Sequence, residues 1–387
     1  MYRIDDEQRR LRLGRRHLLA PAARASSVVA VADAVVALHA TDAATVFLSA
    51  CARLTTPDIG AVERALYEDV SLVRLLAMRN TLFTMSRAVA ASVDASHARR
   101  VAAKERQRLL KHLREDGNGL DERWLAAVEQ QTIAVLSLRG RATGSELSAA
   151  VPALRTKITV FPGTRQETVQ GVASRVIRVL AAEGRIRRDR PRGTWTSSQF
   201  RWTASEPLPP SDPARARVEV ARRWLQSYGP ATEKDLAWWT GWGVRETREA
   251  LAAIAPEEVL LDSGAAGWVI PGDLAAEPPS EPWAALLPGL DPSAMGWADR
   301  TFQLPSNHRA ALFDRAGNIG PTVWFNGGIV GGWAQRADGE LVWRLLSDVG
   351  GEASELVASE ASRMSAWMGD ARITPRFRTP LERELTA

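Results

Sequence analysis

The sequence predicts a mainly α-helical fold with small β elements, in which tandem winged-helix modules are followed by a small C-terminal β-barrel. Two observations carry this expectation. A pattern of short helix, longer helix and hairpin occurs on both sides of a proline- and serine-rich linker, Ser205 to Pro213. From Glu281 onward the composition shifts to tryptophan, glycine and proline, with short apolar runs broken by turn signals. At 387 residues the chain is long enough for several such units, each with its own core.

Composition narrows the class. The 45% hydrophobic and 25% charged fractions are those of an ordinary globular chain. No apolar run is long enough to span a bilayer, and the start MYRIDDEQRRLRLGRRHLLAP is too charged for a secretory signal, so a cytoplasmic protein is expected. A single cysteine, Cys51, excludes an internal disulfide and reads as a small buried filler in FLSACARL. The five histidines show no ligand-spaced pair, and no phosphate- or dinucleotide-binding glycine loop occurs. Neither metal nor cofactor is expected. The net charge of +5 is modest, but bases crowd Arg99–Arg114 and Arg165–Arg192. Such clustering fits a polyanionic partner, with a solvated charged face as the alternative.

The elements follow in order. An N-terminal helical or winged-helix module spans 1–125. In it VVAVADAVVALHATDAATVFLSACARL carries helical spacing, interrupted at His39-Ala40-Thr41. Thr56-Pro57 opens a further helical segment through AVERALYEDVSLVRLLAMR. A basic helix runs from about Asp94 to Glu115 and stops at Asp116-Gly117-Asn118-Gly119. The second module, 126–204, has a capping box at Thr143–Glu146, another at Thr164–Glu167 opening a long helix, and a basic wing in RIRRDRPRGTWTSSQFRWT. The third, 213–272, repeats the plan with ARARVEVARRWLQSYGP, DLAWWTG, VRETREALAAI and the hairpin EEVLLDSGAAGWVIP. The C-terminal unit, 280–387, holds the sheet or barrel, a last helix in ASELVASEASRMSAWMGD and a basic tail.

The order and spacing of RRHLLAP, ALHATDAAT, LVRLLAMRNTLF, GPATEKDLAWWTG, LLPGLDPSAMGW and ALFDRAGNIGPTVWFNGGIVGGWAQR resemble the winged-helix DNA glycosylases of the AlkZ and YcaQ type. The resemblance implies three winged helices and a β-barrel forming a channel around duplex DNA. It also implies removal of alkylated purines, and in some members unhooking of interstrand crosslinks. The family motif is glutamine, any residue, then glutamine or aspartate after a leucine. Here Leu38 is followed by His39, Ala40 and Thr41, so histidine and threonine stand where the water-holding residues are expected.

Glycosidic hydrolysis of an alkylated purine needs a positioned water more than a strong acid, because the leaving base is already cationic. A neutral His39 could accept the water's proton, the Thr41 hydroxyl orient it, and Asp42 orient the histidine or stabilise the cationic sugar. The alternative is structural, with Thr41 capping a helix, Asp42 in its first turn and His39 at an apolar edge. DNA phosphates are expected on Arg187, Arg188, Arg190 and Arg192 of the wing, Arg175 and Arg178 of the long helix, and Arg165 and Gln166 at that helix's start. Asn307, His308 and Arg309 form a polar cluster facing the channel, whereas Asp314 and Asn318 read as a hairpin turn. Trp195 either stacks in a groove or packs on its own helix. No lysine lies near the motif, so a monofunctional enzyme is expected. With no dimer helix in the sequence, a monomer on damaged duplex DNA is favoured over the other reading, a non-catalytic winged-helix lesion binder or regulator.

Overall fold

The structure is a computed structural model that describes residues 2–116 and 118–387, so Gly117 of the expected helix stop lies outside the described residues. One order of elements occurs three times: helix, short strand, two helices, then a hairpin. The first copy comprises Val28–Ala34, Leu38–His39, Ala43–Arg53, Ile59–Glu63 and the strands Leu72–Leu76 and Leu82–Ser86. The second comprises Glu122–Arg139, Ala142–Thr143, Gly144–Ala150, Ala173–Ala182, Ile186–Asp189 and Arg201–Ala204. The third comprises Pro213–Tyr228, a bridge at Ala231, Glu233–Thr240, Val244–Ile254, Glu257–Leu261 and Ala266–Val269. In every copy the short strand pairs antiparallel with the second hairpin strand: Leu38 with Thr84, Ala142 with Trp202, Ala231 with Trp268.

Local chemistry explains most element starts. Thr143 and Glu146 form the reciprocal capping box, as do Thr232 and Asp235. Two stretches depart from the sequence reading. LVRLL is a strand, not helix: Val70 turns into the left-handed region at φ 49°, and the backbone of Leu72–Leu76 then pairs with Leu82–Ser86. The helix before it starts at Ile59, capped by Asp58 rather than by Thr56. Thr164–Glu167 opens no helix. Thr168–Gly171 pairs with Lys157–Val160, and Thr164 and Glu167 close the turn between them through hydrogen bonds to Gln166 N and Gly163 N. The same side chains that would cap a helix here cap a hairpin, because a β-branched partner strand precedes them. The helix itself is Ala173–Ala182.

The chain start is stitched to the third unit. Tyr2–Ile4 adds a parallel strand beside Glu257–Leu261, and helix Asp6–Arg16 follows. Gly14 on that helix admits the Trp283 ring, which would stand 2.8 Å from any Cβ placed there. At the other end, Ala284–Leu287, Thr322–Phe325, Gly328–Gln335 and Leu341–Leu345 form an antiparallel sheet in that order. It is open rather than a closed barrel, which corrects the sequence expectation. Helix Gly350–Met368 packs over the Ala284–Leu287 edge, and helix Pro380–Leu385 packs against Gly328–Gln335. The apolar faces are thus covered by helices without strand closure.

A buried joint locks the units together. The Arg53 and Asp291 side chains are 0% exposed, with Arg53 Nη2 donating to Asp291 Oδ1 at 2.6 Å and Nη1 to Oδ2 at 2.9 Å. The remaining guanidinium N–H groups go to the His17 carbonyl, the Ser49 carbonyl and Ser293 Oγ. Asp291 also accepts from Ser49 Oγ and Ser293 N, so its charge is fully solvated by protein. Ser293 Oγ in turn bonds His17 Nδ1 at 2.8 Å, while His17 Nε2 faces the Ser227 carbonyl, which fixes the proton on Nε2.

Removing one partner strands the other's buried charge. Asp291→Asn is expected to cost about 3–5 kcal/mol, read from the urea midpoint. Asp58→Asn, which breaks the half-exposed pair with Arg64, should cost under about 1 kcal/mol. Burial, first of all, holds His17 down at about 3 and His39 and His97 at about 4, from an ordinary 6.5. Each is neutral when folded and becomes charged in the unfolded chain below 6.5. Stability should therefore be complete above that pH and drain away as the pH falls towards about 4, visible as a falling Tm in a pH series.

Candidate active site

A cleft of about 800 Å³ opens between the first two units. Its walls are the Leu72–Ser86 hairpin, the basic helix Arg99–Glu115, helix Ala173–Ala182 and strand Ile186–Asp189; the C-terminal segment adds Arg376 and Phe377. His39 and Thr41 line the same cleft.

His39 sits on the short edge strand Leu38–His39, opposite Phe83, whose ring it meets edge-on at 5.4 Å. It is 6% exposed, and its Nδ1 is buried without a hydrogen-bond partner. Burial, with the Arg79 charge second, pushes its pKa down to about 4, so the imidazole is neutral near pH 7. Thr41 is half-buried beside it. Asp42, not Thr41, is the N-cap of helix Ala43–Arg53: Oδ1 accepts from Ala44 N at 3.1 Å and Oδ2 from Arg376 N at 3.3 Å. Its carboxylate is thus committed to the helix end and the C-terminal segment, and it is not among the residues lining the cleft with His39.

The cleft is electropositive. Arg74, Arg108, Arg175, Arg178, Arg187, Arg188 and Arg376 line it against one carboxylate, Glu105. Glu105 is taken by Arg178 at 2.6 Å and Arg108 at 3.5 Å. Arg175 turns to His112 Nδ1 and Gln170. Arg188 lies over the Phe200 ring at 3.9 Å and is pushed down to about 10 by burial and then by Arg74 and Arg376. Arg187 Nη1 is buried without a partner. Cations that depress one another with no carboxylate between them form a site for a polyanion.

The other sequence candidates fall elsewhere. Arg190 pairs with Glu68 at 2.5 Å and Glu63 at 3.6 Å, and Arg192 pairs with Glu146. Arg165 and Gln166 sit exposed at the tip of the Lys157–Gly171 hairpin, not at a helix N-terminus, because that helix starts only at Ala173. His308 is buried, its ring bonded to the Ile329 carbonyl and Ser347 Oγ; Asn307 is exposed, and Arg309 lies over Phe313 at 4.4 Å. None of these three lines the cleft. Asp314 and Asn318 form the expected turn, yet Asn318 also reaches the cleft wall. Trp195 is buried against Phe47 at 5.2 Å and Trp367 at 6.4 Å, so it fastens its loop to the first unit and the C-terminal helix. Most of the basic helix is neutralised: Arg99 by Asp94, Arg100 by Glu246, Arg106 by Glu129 and Glu183, Lys111 by Glu115. Arg74 and Arg376 were missed by sequence reasoning. Arg74 lay in a stretch read as helix, and only the strand pairing turns it towards His39's sheet.

A family model described as DNA glycosylase AlkZ-like matches residues 32–367. The chain belongs to the AlkZ-like DNA glycosylase family. Among solved structures, its fold is similar to that of the Streptomyces sahachiroi DNA glycosylase AlkZ. The TM-score is 0.70 over 94% of this chain and 97% of that one, at 22% identity, a likeness of fold. No curated protein matches the sequence. The substrate class of AlkZ-like glycosylases is DNA, and the arginine cleft has the charge for it.

The unpaired and paired arginines of the second hairpin should separate in a binding assay. Arg188→Ala is expected to weaken binding to undamaged duplex and to reduce the slope of log K against log salt by about 0.9. Arg190→Ala, whose charge is already met by Glu63 and Glu68, should leave the slope unchanged.

Proposed function

We propose that this AlkZ-like protein hydrolyses the N-glycosidic bond of alkylated purines in duplex DNA, using a water held between His39 and Thr41. One observation carries the reading: His39, a buried, neutral imidazole with an unpartnered Nδ1, shares with Thr41 a cleft lined by arginines. The three repeated units act as winged helices that present this cleft to DNA, and the chain works as a monomer in the cytoplasm.

Arg187, Arg188 and Arg376 hold the phosphates, and the lesion enters the cleft towards His39. The alkylated base leaves readily because it already carries positive charge. As the sugar gains oxocarbenium character, His39 takes the proton of the attacking water and the Thr41 hydroxyl fixes its approach. The chain's lysines are Lys104, Lys111, Lys157 and Lys234, and none lines the cleft, which favours a monofunctional enzyme over Schiff-base chemistry. The size of the cleft extends the proposal to bulky adducts, including the unhooking of interstrand crosslinks.

Base release from duplex DNA carrying 7-methylguanine tests the reading. His39→Ala is expected to lower the single-turnover rate by about 10²–10³-fold, and Thr41→Ala by less. His39→Gln, which restores the family's usual residue, should retain more activity than His39→Ala. The wild-type rate should be flat from neutral pH downward and fall only as the pH approaches about 4, where His39 gains its proton. Tight, salt-sensitive binding with no release from methylated or crosslinked duplex would instead leave a non-catalytic lesion binder.

A further inference from the structure

Outside the cleft, three arginines and two aromatic rings form a ladder. The Arg79 guanidinium lies over Trp238 at 4.1 Å and Arg300 lies over the same ring at 5.0 Å. Arg300 also faces Phe313 at 5.7 Å, and Arg309 covers that ring at 4.4 Å. The order is Arg79, Trp238, Arg300, Phe313, Arg309. The rungs come from distant parts of the chain: the first hairpin's tip, helix Glu233–Thr240, and the segment between the first two strands of the C-terminal sheet. None of the three arginines has a carboxylate within 4.0 Å among the described residues. Arg300 is held down at about 10 by burial and then by Arg79 and Arg309, so the cations act on one another. The acid nearest in effect, Asp235, is committed: it accepts from Thr232, Ala298 and Asp299 backbone N–H groups and the Thr232 hydroxyl.

The backbone is shaped to hold this arrangement. Arg79 and Asn80 both lie in the left-handed region, at φ 52° and 55°, which non-glycine residues adopt only under local constraint. Gly241, in the left-handed region at φ 74°, ends helix Glu233–Thr240 and packs against Arg79. The ladder also begins at the cleft: Asn80 and Thr81 line it, and the Arg79 charge is felt by His39.

We propose that Arg79, Arg300 and Arg309 form a phosphodiester-binding track that grips the DNA backbone as it leaves the cleft beside His39. Aromatic faces hold each guanidinium flat and, apart from the Arg300 Nε that donates to the Trp297 carbonyl at 2.9 Å, leave its N–H edges for phosphate oxygens, where a carboxylate partner would have consumed them. The track rests on the reading of the protein as a DNA enzyme, but it concerns grip on undamaged backbone and not the chemistry. A structural alternative exists, in which the ladder only glues the hairpin to the third unit.

The test uses the full chain and a labelled undamaged duplex, with the dissociation constant measured across a salt series beside the thermal midpoint. Arg79 and Arg309 are exposed, so Arg79→Gln/Arg309→Gln should fold normally. It is expected to reduce the slope of log K against log salt by about 0.9 for each phosphate no longer neutralised. Arg300→Lys keeps the charge but loses the flat fork, and is expected to weaken binding several-fold with the slope retained. An unchanged slope and affinity in the double variant overturns the track, as does a lowered Tm with unaltered DNA binding, which would mark the ladder as glue. Base release by the same proteins separates the two ideas. Release with an unaltered slope removes the track and leaves the glycosylase. A lowered slope in a protein that releases no base does the reverse.

Discussion

The ion pair of Arg53 with Asp291 sets the geometry on which the cleft depends. Both charges are withdrawn from water, a cost that attraction alone does not offset. It is met here because all five guanidinium N–H groups and the carboxylate find partners at His17, Ser49, Asp291 and Ser293, drawn from separate stretches of chain. Arg53 ends helix Ala43–Arg53, every residue of which is buried. Asp42 caps the start of the same helix and also holds the backbone of Arg376. A helix clamped at both ends leaves little freedom to the short strand and turn that precede it, which carry His39 and Thr41. The ion-pair joint at one end and the cap at the other thus act on one rigid rod.

Charge is sorted by the same packing. The protein carries many more arginines than the cleft uses, and internal carboxylates settle which ones face a ligand. Glu129 and Glu183 hold Arg106 and Arg185, while Glu63, Glu68 and Glu146 hold Arg190 and Arg192. Among the cleft-lining arginines, Arg74, Arg175, Arg187, Arg188 and Arg376 keep no carboxylate partner among the described residues, and Arg79, Arg300 and Arg309 beyond the rim are likewise without one. Aromatic rings do for Arg79, Arg188, Arg300 and Arg309 what carboxylates do for the paired arginines. They order the side chain without cancelling its charge.

Much of this architecture was legible in the residues, and the failures share a cause. Thr143–Glu146 and Thr164–Glu167 are spelled alike, yet one caps a helix and the other a hairpin turn. The difference is the strand Lys157–Val160, which offers Thr168–Gly171 a pairing partner that no local pattern contains. The repeat in the first unit was hidden likewise, since the leucine spacing of LVRLL suits a helix until Leu82–Ser86 lies beside it. The wing was visible as four arginines, but Arg190 meets Glu68 across 122 positions, and only the fold tells it apart from Arg188. His39 and Thr41 were found through their place in a motif. That the imidazole is buried with a free Nδ1 depends on Phe83 and the surrounding core. Arg53 and Asp291, 238 positions apart, left no sequence signal at all.

Under the proposed function, an arginine-lined cleft is at first sight a poor place for a reaction that develops positive charge on a sugar. The conflict resolves once DNA is bound, because each phosphate that enters brings its own negative charge and a cation in the transition state then sits beside neutralised pairs. What the cleft could not tolerate is a further fixed cation at the point of attack. In the proposed reaction a protonated histidine at position 39 would repel both the cationic base and the forming oxocarbenium ion, and could accept nothing from water. Burial prevents this by making the charged imidazole too costly, and the Arg79 field acts in the same direction. The neutral glutamines expected of the family avoid the problem by having no charge to lose. On the proposed reading a histidine can stand in their place only where its pKa is forced well below neutrality, and the burial of His39 against Phe83 meets that condition.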